Sequence, residues 1–201
     1  ARYMVEKENG DVWLCTEARN FCIYNYLKNK LIYHPEFENC SGASRHVNTD
    51  HDYIWIATDD GLIQADKNTY KIKKLWTTSD GLPNNVVYAI ETDSEQKIWA
   101  STNNGLVKID PATGFCKAYM VDDGLQAMEF NTAVSLKDNR GNIWFGGING
   151  FNKVPLNNTI VKPYAPAPII TKIDVMNVPY IDSIATPYIK NITLPHKQNF
   201  I

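Results

Sequence analysis

Apolar and polar positions alternate along most of this chain in short runs, and each run ends at a cluster of Asp, Asn, Gly or Pro. Alternation of period two, bounded by turn formers, predicts strands joined by tight turns. The pattern is cleanest over residues 84–125, which read as four strands at 86–92, 97–102, 106–110 and 115–121. The first of these is rich in β-branched and aromatic residues (Val86, Val87, Tyr88, Ile90, Thr92), which suit a half-buried pleated surface. Asn103, Asn104 and Gly105 predict a tight turn, because Asn and Gly tolerate the positive φ that hairpin turns demand. The preceding stretch repeats the plan with strands at 44–48, 53–58, 62–66 and 70–77, and the following one with strands at 130–137, 142–146 and 151–155. A first unit runs from about 3 to 34. A linker at 35–42 then stands where the later units carry Asp-Gly-Leu turns, at 80–82 and 123–125.

One position ties these units together. Trp13, Trp55, Trp99 and Trp144 stand 42, 44 and 45 residues apart, and Gly61, Gly105 and Gly150 each follow their tryptophan by six. A period in the forties, with one tryptophan strand per repeat, predicts the blades of a β-propeller. A residue that recurs at the same strand position is a packing residue, so the tryptophans are assigned to blade-to-blade contacts and the glycines to turns. A blade buries both faces against neighbours, and four repeats are fewer than most propellers use to close a ring. The chain therefore reads as the C-terminal blades of a larger propeller, over residues 1–162. A proline-rich linker follows at 163–168. Residues 169–201 then hold short apolar runs at 169–175, 178–181 and 188–194, as in the first strands of a truncated β-sandwich. The expected fold class is all-β: a partial β-propeller of about four blades, each of four antiparallel strands, followed by the start of an immunoglobulin-like β-sandwich.

Composition narrows the function classes. With 201 residues and a formal net charge of −2, the chain has no basic face for nucleic acid and no polybasic membrane anchor. No apolar run approaches a membrane span and the opening residues are no signal peptide, so the chain reads as soluble, with any targeting segment expected outside it. Cys15, Cys22, Cys40 and Cys116 form no CxxC pair and no cluster with histidine, so neither a metal site nor a cofactor is expected. Cys15 and Cys22 could face each other across a hairpin. Their alignment with Ala57, Ser101 and Gly146, and with Ile63 and Val107, favours small core residues over a disulfide.

The motif Asp93-x5-Trp99-x5-Gly105-Leu106, then Asp110-Pro111-x-Thr113-Gly114-Phe115 and Asp123-Gly124-Leu125, resembles the two-component regulator propeller repeat. Residues 80–86 carry a fuller form of the same connection. Ala167 to Ile173, Ile192 to Pro195 and Asn199–Phe200 resemble the start of the triple-tyrosine domain that follows such propellers. The first unit departs from the pattern, since it lacks both the glycine and the Asp-Gly-Leu turn. The resemblance implies a periplasmic segment of a hybrid two-component sensor of the kind found in Bacteroides-type bacteria. Such a segment recognises a glycan-derived oligosaccharide and signals across the membrane to a histidine kinase and phosphorelay. The partners it implies are the oligosaccharide and the remaining blades and sandwich of the same polypeptide. A homodimer that hides the open ends is a further option.

Function is best sought where the repeats differ. The connections between the fourth and first strands, and between the second and third, emerge on one rim around the central channel. There Asn84, Asn85, Gln126, Glu129 and Asn131 offer amides and a carboxylate to sugar hydroxyls, and Met128 and Phe130 add apolar surface. No catalytic residue is assigned. Asp138-x-x-Gly141-x-x-Trp144 is close to the aspartate box of sialidase propellers, but its aspartate lies one residue too far from the tryptophan. Arg2, Arg19, Arg45 and Arg140 are scattered, and His34, His46, His51 and His196 follow no repeat phase. Glycan hydrolysis by paired carboxylates, a streptogramin-lyase-like activity and a purely structural scaffold remain the alternatives.

Overall fold

The computed structural model describes residues 1–17, 21–38, 42–154, 172–179 and 193. The chain forms two compact units, Ala1–Asn157 and Asn158–Ile201. The first unit is an all-β propeller segment of four antiparallel blades. Blade one holds β1 (Tyr3–Glu6), β2 (Val12–Cys15), β3 (Phe21–Asn25) and β4 (Lys30–Tyr33). Blade two holds β5 (Ser44–Thr49), β6 (Tyr53–Thr58), β7 (Gly61–Asp66) and β8 (Ile72–Trp76). Blade three holds β9 (Val87–Thr92), β10 (Ile98–Thr102), β11 (Gly105–Ile109) and β12 (Cys116–Tyr119). Blade four contributes β13 (Phe130–Lys137), β14 (Ile143–Gly147) and β15 (Gly150–Val154) among the described residues. The first strands β1, β5, β9 and β13 are neighbours, blade to blade, and form the inner wall. In the second unit, β16 (Asp174–Val175) and β17 (Val178–Pro179) pair around Met176 and Asn177, both at positive φ. The linker expected at 163–168 lies outside the described residues, as do 169–171 of the run predicted at 169–175, 180–181 of that at 178–181, and all but residue 193 of that at 188–194.

Three apolar clusters fill the spaces between blades. Trp13, Phe21, Ile54, Ile56 and Ile63 pack between blades one and two. Trp55, Trp76, Val87, Ile90 and Ile98 pack between two and three, and Trp99, Leu106, Phe130, Ile143 and Phe145 between three and four. Each interface thus takes the tryptophan of the earlier blade. Trp144 belongs to the last described blade and is only half-buried, against the edge of Phe151 at 5.5 Å.

An aspartate fixes the repeat tryptophan of each of blades two, three and four. Asp50, Asp93 and Asp138 accept the indole N–H of Trp55, Trp99 and Trp144 at 2.7, 3.1 and 3.2 Å. The second carboxylate oxygen of each accepts two backbone N–H groups of the turn between the first and second strands. One side chain therefore satisfies the turn and orients the core ring above it, which is why the acid recurs five or six residues before the tryptophan. Bonds from Asn142, Trp144 and the turn N–H groups hold the Asp138 carboxyl down to about 2. In blade one the same turn closes with Lys7 at the aspartate position, and its ammonium lies 4.4 Å from the Trp13 ring centre.

The first unit forms a complete four-stranded blade despite its departures from the repeat. The linker expected at 35–42 contains a helical turn, Pro35–Glu38, and Phe37 is fully buried edge-on to Phe21 at 5.4 Å. Leu82 joins the next interface and Leu125 packs on the one after, so Phe37 replaces the leucine of the missing Asp-Gly-Leu turn. Those turns are short 3₁₀ helices, Thr78–Asp80 and Val121–Asp123. Asp80 and Asp123 accept the N–H of Thr77 and Met120 there, at 3.0 and 2.8 Å. Cys15 and Cys22 are buried free thiols, out of register with each other: Cys15 opposes Phe21, and Cys22 opposes Leu14. Burial pushes the Cys15 thiol up to about 12.

Candidate functional site

The inner strands share an irregularity at one end. In β5 the pairing with β6 slips between Ser44 and His46, and in β9 the pairing with β10 slips between Val87 and Ala89. In β13 the slip is longer, from Phe130 to Ser135, and Ala133 there has φ of 57°. Such bulges leave residues outside the ladder and turn their side chains in a new direction. The displaced residues are Arg45, Tyr88 and the segment 131–134, on three successive blades at the same mouth.

These residues meet. The Arg45 Nε donates to an Asp59 carboxylate oxygen, and its Nη1 donates to Thr132 Oγ1 at 2.7 Å, reaching from blade two to blade four. The guanidinium carbon lies 5.0 Å from the centre of the Tyr88 ring. The Tyr88 hydroxyl donates to Asn103 Oδ1 at 2.9 Å. Burial raises the Tyr88 phenol above its ordinary value, and the charges of Glu129 and Asp59 add to the shift while Arg45 opposes it. Asp59 and Asn103 come from the hairpin turns between second and third strands. Glu129 comes from the connection into β13. A polar group drawn from three blades at a channel mouth is suited to holding a hydroxyl-rich ligand by several hydrogen bonds at once.

The five residues expected to bind are placed unequally. Asn84 Oδ1 accepts the N–H of Val86, and Asn85 Oδ1 accepts the N–H of Thr78, both at 2.8 Å. Gln126 donates to the Glu129 carbonyl at 3.2 Å and accepts the N–H of Asn149 at 2.6 Å. Those three side chains brace the loops that carry them. Glu129 and Asn131 are exposed beside the Arg45 and Tyr88 group. Phe130 does not supply apolar surface as expected. It precedes the slip, opposite Gly147, and is buried between blades three and four against Phe145. Arg45, Tyr88 and Thr132 escape a reading of the sequence, because a strand recognised by alternation carries no sign of a bulge.

Below the mouth the inner wall holds a second polar tier. Asn48 donates to Glu91 Oε2 at 3.1 Å and Ser135 donates to Glu91 Oε1 at 2.8 Å, so one carboxylate bridges β5, β9 and β13. Burial raises the Glu91 carboxyl, against the pull of these two bonds and of Lys137. Because the unfolded chain ionises first, Glu91 favours folding more as pH falls from neutrality through its folded pKa toward the ordinary 4.5. His46, buried and held down to about 4, acts in the opposite sense below its ordinary 6.5. Comparison of wild type with Glu91→Gln isolates the glutamate. We expect the variant to be at least as stable near neutral pH, with its advantage shrinking toward about pH 5 in denaturant titrations. An advantage constant with pH would exclude this assignment.

Residues 81–104 match the two-component regulator propeller family. Over 98 residues the chain is 32% identical to histidine kinase P4 of Formosa agariphila, a match covering 49% of this chain and 7% of that protein. The extracellular domain assigned to a hybrid two-component system of B. thetaiotaomicron superimposes with a TM-score of 0.73 at 25% identity, over 98% of this chain and 28% of that one. A virginiamycin B lyase from Staphylococcus aureus shares the propeller fold, with a TM-score of 0.54 at 17% identity, over 75% of this chain and 54% of that one. The chain carries the regulator-propeller repeat and spans a minor part of the kinase and of the extracellular domain it resembles. Among the described residues no helix is long and apolar enough to cross a membrane.

Proposed function

We propose that this chain, a set of regulator-propeller blades, is part of the periplasmic sensor region of a hybrid two-component system. It binds a glycan-derived oligosaccharide and passes the signal to a histidine kinase in the same polypeptide. The observation that carries the reading is the convergence of Arg45, Asp59, Tyr88, Asn103, Glu129 and Thr132 at one mouth, drawn from three successive blades. The regulator-propeller repeat and the likeness to a two-component extracellular domain support it. Sensing requires the ligand to favour one arrangement of the receptor over another, and a site spread over three blades is sensitive to their relative tilt. A lyase-like or hydrolytic role finds less support. His46, next in sequence to Arg45, is 3% exposed and its Nδ1 accepts the N–H of Ile90 at 3.3 Å.

Calorimetry of the full-length protein against a panel of plant and algal oligosaccharides tests the proposal. Saturable binding without turnover is expected, turnover of a bound glycan contradicts it, and silence across the panel leaves a scaffold. Glu129→Ala and Asn131→Ala, both at exposed positions, are expected to weaken binding by about 1 kcal/mol each, a five- to ten-fold rise in Kd. Asn84→Ala and Asn85→Ala are expected to act through loop order and to lower thermal stability. Unchanged affinity in both Glu129→Ala and Asn131→Ala would remove the mouth from the binding site.

A further inference from the structure

We infer that this sector of the mouth selects uncharged, hydroxyl-rich ligands over carboxylated or sulfated ones. The inference rests on the sensing reading above and concerns the charge of what is sensed. Its basis is the commitment of Arg45. The Arg45 side chain is 17% exposed, its Nε is paired with Asp59, its Nη1 is bonded to Thr132, and its guanidinium carbon lies over the Tyr88 ring. Asp59 neutralises the cation locally and fixes its fork, so Arg45 meets a ligand as one half of an ion pair and not as a free charge.

Among the described residues of blades two to four, the remaining charge at the mouth is negative. Asp60, from the β6–β7 turn beside Asp59 in sequence, and Glu129, from the connection into β13, are both exposed. The Tyr88 phenol is raised by burial first and then by the charges of Glu129 and Asp59, in keeping with the sign of the local field. A neutral sugar can donate hydroxyls to these carboxylates and accept from the amide of Asn131. The carboxylate of a uronate or the sulfate of an ester brings like charge to the same acceptors and has no proton to donate to them. Like-charge contact is how a binding surface rejects an otherwise isosteric ligand.

The test uses matched pairs on the full-length protein: cellotetraose with its C6-oxidised uronate, glucosyl-substituted xylotetraose with its glucuronate-substituted counterpart, and agarotetraose with an O-sulfated form of the same tetramer. In any pair that binds, the neutral member is expected to bind roughly ten-fold tighter at low ionic strength, with the ratio shrinking as salt is raised. Glu129→Gln removes the charge and keeps one acceptor oxygen, and is expected to narrow the ratio by about a factor of three, because it relieves the repulsion of the anionic member while weakening the bond to the neutral one. Equal or tighter binding of the anionic member, or a ratio unmoved by Glu129→Gln, overturns the inference and leaves the sensing reading standing. Failure of every pair to bind counts against the sensing reading itself, and the charge preference falls with it.

Discussion

Trp55→Ala is expected to lower the stability of the propeller segment by about 3–5 kcal/mol, read as a fall in the denaturant midpoint. Trp55 is fully buried, packs 6.2 Å from the Trp76 ring, and joins Val87, Ile90 and Ile98 in the interface between blades two and three. Removing the indole leaves a void that three strands of the next blade cannot collapse to fill, because their registers are fixed by their own ladders. It also strips a donor from Asp50, whose other oxygen still serves the turn. Trp144→Ala, at the half-buried copy, is expected to cost less than half as much. Equal losses at the two positions would show that the interfaces between blades do not carry the stability.

The second large effect is expected at Gly105. It adopts φ of +100°, and a Cβ built on it would lie 2.4 Å from the Tyr119 carbonyl oxygen of the adjacent strand. Alanine there combines backbone strain with a clash against backbone that β12 cannot relieve without losing its pairing to β11. We expect a loss of about 3–5 kcal/mol for Gly105→Ala. Gly114 is the control. Its φ is +77° and a Cβ added to it would meet no atom within 4 Å. Gly114→Ala is therefore expected to cost only the strain, about 1–2 kcal/mol. Thermal unfolding of the two variants side by side separates the clash from the strain.

The blades are legible in the sequence because their chemistry is local and repeated. The strands Tyr53–Thr58 and Phe130–Lys137 have the bounds that alternation predicts, and most others agree within two residues. The tryptophan phase, the turn glycines and the acid-bearing turns recur in one dimension, where a sequence can be compared with itself. The mouth is not legible in the same way. Arg45 and Tyr88 hold corresponding places in blades two and three, but a register slip is a property of two strands together and leaves no mark in one. Asn84, Asn85 and Gln126 look free for a ligand because their residue types suit one. Whether an amide faces solvent or braces its own loop depends on backbone geometry several residues away. Phe37 is hidden for a related reason: a helical turn of four residues supplies by position the side chain that a leucine supplies elsewhere by sequence.

The central claim is that a ligand is recognised at the mouth built from the bulged inner strands. Hydrogen–deuterium exchange of the full-length protein, with and without an oligosaccharide that binds it in calorimetry, tests this most directly. Slowed exchange is predicted at residues 43–45, 59–60, 88, 103–104 and 126–132, with the opposite turns at 50–53, 93–97 and 138–142 unchanged. Protection confined to those opposite turns, or absent from both sets while the ligand is bound, would contradict it.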